Sequence, residues 1–145
     1  MIETSGPISY RRLKSGGYEL TRDWWCWSEL LKNCAARVDG YIEQTSAGKL
    51  TIFATYKSDG PSGPTLDTPD FMAAAFAHDA GYQLLRARKV PPAWRKRYDE
   101  LLYQIVRSRG MPGYRAQWVY WGLRFGGAHA ARPAQEPETR TMVAP

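Results

Sequence analysis

The sequence predicts an α+β fold. Aromatic and β-favouring runs occupy the chain as far as Tyr56, a Gly/Pro-rich segment covers residues 57–69, and three stretches with helical periodicity fill the remainder to about Gly126. An N-terminal β-hairpin or small antiparallel sheet is therefore expected to pack on a three-helix core, two of whose helices run antiparallel. At 145 residues and 43% hydrophobic, the chain is long enough for one domain with a core of its own. The expected organisation is an N-terminal arm over residues 1–17, a single α+β domain over 18–127 and an extended tail over 128–145.

Residues 1–17 mix Gly, Ser, Pro and Arg, with one short edge strand expected over 8–13. The run YELTRDWWCW over 18–27 reads as a single strand, with two of Trp24, Trp25 and Trp27 expected on the core and one at the surface. The sharper reading of those three rings is a patch that touches lipid or a partner. Residues 28–37 have Leu30, Leu31 and Cys34 at helical spacing, which predicts a short helix. The runs 41–45 and 50–56, joined by SAGK, predict a hairpin.

Residues 57–69 hold three prolines and two glycines, the composition of a structured loop, and Thr68 before Pro69 suits a helix start. In FMAAAFAHDAGYQLLR, Phe71, Ala75, Tyr82 and Leu85 recur at helical spacing with His78 between them. A second helix begins near Pro91 or Pro92, with Trp94, Tyr98, Leu101, Leu102, Ile105 and Val106 as its apolar stripe and Asp99 beside it. A third follows Gly113, and its repeat of Tyr114, Trp118, Trp121 and Phe125 is expected to face the core. The tail after Ala128 is polar and proline-rich, with no apolar face of its own.

Twenty Lys and Arg against fourteen Asp and Glu give a net charge of +6, which favours contact with phosphates on nucleic acid or on an anionic membrane surface. The basic residues Arg86, Arg88, Lys89, Arg95, Lys96 and Arg97 cluster at one helix connection. Such runs are usually solvated faces, so nucleic-acid binding is disfavoured. The two cysteines, Cys26 and Cys34, are too few for a disulfide scaffold or a zinc site and are expected as packed thiols. No apolar run is long enough to span a bilayer, and the N-terminus lacks a signal-peptide core.

The candidate chemistry lies on the first two helices. A short connection permits His78 to lie opposite Asp99. A carboxylate on one imidazole nitrogen fixes the tautomer and leaves the other nitrogen to take a proton from water, as a hydrolytic general base must. Asp79 points to another side of its helix. With Asp59 and the carbonyls around Gly60 it offers the all-oxygen surroundings that calcium prefers. Zinc hydrolysis and HD-type phosphohydrolysis would need further histidine ligands, and the only other histidine is His129 in the tail. The plain structural reading is a buried polar network that orders the helix pair.

The order Asp59-Gly60-x-Ser62, then His78-Asp79-x-x-Tyr82, then Asp99 resembles the phospholipase A(2) superfamily, and most of all its bacterial and fungal branch. The resemblance covers about residues 59–99. YKSDGPSGPTLDTPDFMAAAFAHDAGYQL, together with YRAQWVYWGLRFGG, is also similar to a phage and prophage family of unknown function, over roughly residues 18–127. The phospholipase resemblance implies a phospholipase A(2)-like core with His78 as general base, Asp99 as its orienting partner and Tyr82 as support. It further implies a calcium ion held by Asp59, Asp79 and the Gly60 backbone, and hydrolysis of a (phospho)lipid ester. The chain departs from the secreted enzymes in having Ala77 and Ala80 where cysteines flank that helix. The absence of disulfides there fits a virion or host-cytoplasm protein. The polar tail with no core of its own suggests a partner surface and a multi-subunit assembly, and the phage resemblance implies other phage structural proteins as partners. The alternative to an enzyme is accordingly a non-catalytic virion or accessory component that docks through its aromatic strand and its tail.

Overall fold

A computed structural model of the chain describes residues 2–58 and 69–126. Two antiparallel sheets and three helices make the α+β architecture expected from the sequence. The strands are β1 (Ile2–Thr4), β2 (Tyr10–Arg12), β3 (Tyr18–Leu20), β4 (Trp24–Ser28), β5 (Ala36–Val38), β6 (Ile42–Gln44), β7 (Lys49–Ile52) and β8 (Lys57–Ser58). The helices are α1 (Pro69–Arg86), α2 (Trp94–Ser108) and α3 (Gly113–Gly126). The larger sheet has the order β1-β4-β7-β6-β5 and the smaller one β2-β3-β8.

The β6–β7 hairpin forms as the pattern predicts, with Ile42 opposite Ile52 and Gln44 opposite Leu50. Alternation then places Cys26, Ile42, Leu50 and Ile52 on the buried face. The predicted continuation of β7 to Tyr56 stops at Ile52, because Thr55 takes φ 78° and turns the chain from the larger sheet to the smaller. The 18–27 run is likewise two strands in different sheets. Asp23 sits at the break, where its side chain accepts the backbone N–H of Ala54 at 2.8 Å. One tryptophan of the three, Trp24, is fully buried; Trp25 and Trp27 are half-buried under Lys49 and Lys32. The helix predicted over 28–37 shrinks to one 3-10 turn, Glu29–Leu31, capped by the Ser28 hydroxyl. Asn33 at φ 79° ends that turn, and the chain continues into β5.

Helix α1 is buried on nearly every side. Phe71, Ala75, Tyr82 and Leu85 are inside, and so are Met72, Phe76 and Leu84. Its alanines let neighbours come close. It packs along α2 and against β5, β7 and β8. Gly81 permits the tightest approach, since a Cβ there would lie 2.4 Å from the Tyr98 ring. Helix α2 ends in a Schellman arrangement, with Gly110 at φ 103° and the Met111 N–H bonded to the Val106 carbonyl. Two hydroxyl bridges join α2 to the larger sheet. Tyr98 Oη donates to Gln44 Oε1 at 2.8 Å and Ser28 Oγ to Gln104 Oε1 at 2.7 Å.

The expectation for α3 is overturned. Tyr114, Trp118, Trp121 and Phe125 are 81, 68, 51 and 84% exposed, while Ala116 and Val119 face inward with Leu123 partly covered. Both stripes recur at helical spacing, and the smaller side chains fit the groove beside α2. No helix among the described residues is long and apolar enough to cross a membrane. The predicted cap at Thr68 and the tail over 128–145 lie outside the described residues.

Candidate functional site

The site is built where the second half of α1 meets the first half of α2. Positions 78 and 82 are one helical turn apart, so their rings leave α1 on one face and lie tilted at 38° with centroids 4.1 Å apart. Both converge on Asp99. His78 Nε2 lies 2.7 Å from Asp99 Oδ1, and the Tyr82 hydroxyl donates to the same oxygen at 2.7 Å. The other oxygen, Oδ2, accepts from Arg124 Nη1 at 2.9 Å and has Arg95 Nη1 at 3.5 Å.

Asp99 has no exposed side-chain surface, and His78 keeps 9% of its own. Solvent therefore reaches the pair through the imidazole. Burial opposes ionisation of Asp99, but hydrogen bonds from His78, Tyr82 and Arg124 outweigh it and hold the carboxyl below the usual carboxylate range. An ionised carboxylate only accepts, so Nε2 carries the proton and Nδ1 is the basic nitrogen. Among the described residues no group hydrogen-bonds Nδ1. Burial first, and then the bond to Asp99, push the Tyr82 hydroxyl well above its ordinary value, so it remains a donor.

The arginines lock the third helix to this centre. Arg95 Nη1 and Nη2 donate to the Leu123 and Arg124 carbonyls at 3.2 Å each, while the Arg124 side chain returns to Asp99. Cations belong at a helix C-terminus, where unpaired carbonyls carry partial negative charge. The predicted basic run is thus divided. Arg95 serves the site, and Arg97 donates to the Leu30 carbonyl at 3.1 Å and lies over Trp94; Arg88, Lys89 and Lys96 stay exposed. Sequence reasoning missed both Arg95 and Arg124. The (i, i+4) spacing of Arg95 and Asp99 was a usable signal, whereas nothing local ties Arg124 to a residue 25 positions earlier.

Asp79 projects to another side of α1, toward the end of the smaller sheet. The Ser58 hydroxyl, on the last residue of β8, donates to Asp79 Oδ2. Residue 59 follows directly on Ser58, so Asp79 stands beside the point where the described chain reaches residues 59–68. Asp59 and Gly60, the other residues expected around calcium, lie outside the described residues. Among the described residues no three His, Cys, Asp or Glu side chains converge on one point. The oxygens that are described, a carboxylate and a hydroxyl, are of the hard type that suits calcium rather than a softer metal.

No family model matches this chain, and no curated protein or solved structure matches it either.

Proposed function

We propose that the chain is a phage-type protein with a phospholipase A(2)-like core, and that its His78–Asp99 pair hydrolyses a (phospho)lipid ester with calcium. The observation that carries the reading is the Asp99 carboxylate held by His78 and Tyr82, with no hydrogen bond to Nδ1 of His78 among the described residues. Nδ1 takes a proton from water as the water oxygen bonds to the ester carbonyl carbon. Asp99 opposes the imidazolium charge, and the same proton then passes to the departing alkoxide, giving a fatty acid and an alcohol. Tyr82 and Arg124 keep Asp99 ionised, and Arg95 helps to hold it in place. Asp79, with Asp59 and the Gly60 carbonyl, would hold calcium, which when bound supplies electrostatic stabilisation of the carbonyl oxygen.

The test combines calcium calorimetry with assay of fatty-acid release from phospholipid vesicles. Wild type binds calcium and releases fatty acid; Asp79→Asn loses both, and His78→Gln keeps calcium and loses release. Wild-type protein that takes up no calcium and releases no fatty acid removes the proposal. A second reading, a non-catalytic virion or accessory component, draws support from the exposed aromatic face of α3. In that case partners would be other phage structural proteins rather than an anionic membrane surface.

A further inference from the structure

The outward face of α3 consists of Tyr114, Gln117, Trp118, Trp121, Gly122 and Phe125 and carries no charge. Contiguous exposed rings of this kind mark an interaction surface. The positions have a symmetry. About the point midway between 119 and 120, residue 114 exchanges with 125, 117 with 122 and 118 with 121. A two-fold axis across the helix at that point maps the whole face onto itself, which is the condition for an isologous contact. The chemistry matches as well: Tyr meets Phe, Trp meets Trp, and the one polar side chain, Gln117, meets the one residue without a side chain.

Among the described residues Gly122 has no packing partner. A Cβ there would find no atom within 4 Å, so the glycine serves no close approach in the monomer, although glycine is unfavourable within a helix. Across the two-fold axis it gives Gln117 of a second copy room to lie on bare backbone. Area points the same way. At roughly 150–250 Å² per ring, the exposed fractions amount to about 550 Å² of aromatic surface per copy. Two copies could bury up to about 1,100 Å² from the rings, comparable with the roughly 1,000 Å² of a specific interface. An uncharged face also lets two chains of net charge +6 meet without opposing like charges at the contact.

We infer that α3 pairs antiparallel with α3 of a second copy of this chain. The pairing does not depend on the chemistry proposed for His78, although the paired helix also delivers Arg124 to Asp99.

Sedimentation of the full chain at about 100 μM, above the micromolar range of weakly held interfaces, tests this. Wild type should sediment at twice its 16.5 kDa mass and dissociate on dilution. Trp118→Glu and Gly122→Gln should each raise the dissociation constant at least about ten-fold. At a concentration low enough that wild type is monomeric, Gly122→Gln should not lower the melting temperature, because within one chain its side chain enters open space. Orientation is read by cross-linking. Gln117→Cys/Gly122→Cys should oxidise with copper phenanthroline to a covalent dimer, whereas Gln117→Cys alone should not. A wild-type monomer that binds phosphatidylglycerol vesicles through Trp118 would assign the face to a lipid surface and overturn the inference. A monomer that binds no vesicles, or a dimer unaffected by both substitutions, overturns it equally.

Discussion

His78 and Asp99 are 21 residues apart and on different helices, yet Nε2 and Oδ1 lie 2.7 Å apart with the carboxylate sealed from solvent. Asp99 is thus the anion around which His78, Tyr82, Arg95 and Arg124 are arranged. Removing its charge while keeping its shape should be costly. Asp99→Asn leaves two arginines facing a neutral amide, and we expect a loss of about 3 kcal/mol in urea unfolding. That is the lower end for a broken buried pair, because both guanidinium groups keep partial contact with water.

The same carboxylate predicts how stability depends on pH. Its folded pKa is lowered, so it binds a proton less readily folded than unfolded. Its contribution is complete above the unfolded value near 3.9 and is lost as pH falls toward and through the lower folded value. Urea midpoints of wild type should therefore fall between about pH 5 and pH 2. In Asp99→Asn that part of the decline should be missing.

Tyr82 shares Oδ1 with the imidazole and also interacts with Arg95. Tyr82→Phe removes one donor to a charged acceptor at nearly constant volume and should cost about 1.5 kcal/mol. Lipid hydrolysis should fall by less than about ten-fold, since Asp99 still fixes the tautomer of His78. A loss as large as that of His78→Gln would show that Tyr82 acts in the reaction rather than beside it.

Gly81→Ala should destabilise the protein in thermal unfolding even though alanine favours a helix by about 1 kcal/mol. The added methyl meets the Tyr98 ring, which is held in place by Gln44, and overpacking of this kind costs roughly 1–3 kcal/mol. Separation of α1 from α2 would also lengthen the His78–Asp99 contact. Gly122→Ala, measured at a concentration where the chain is monomeric, is the control, with the same propensity gain and no clash within the chain.

The sequence made the central pair legible because the geometry is short-range. Residues 78 and 82 share a helix face by periodicity, and a connection of a few residues turns α2 back along α1, which limits where Asp99 can lie. Arg124 was not legible. Its place depends on how α3 rotates against α2, and α3 has two apolar stripes with the same spacing. Size decides between them: Ala116, Val119 and Leu123 fit the groove, and the larger rings are left outside. The strands show a similar limit. YELTRDWWCW reads as one extended run, and its division at Asp23 depends on a hydrogen bond to Ala54, 31 residues away.

The most direct measurement is fatty-acid release from phospholipid vesicles by wild type and by His78→Gln, each with calcium and with a chelator. The account predicts release by wild type with calcium only, and a fall of about 10²–10⁴-fold in His78→Gln when circular dichroism shows that variant folded. Equal release by the two proteins, or none by folded wild type with calcium present, would contradict it.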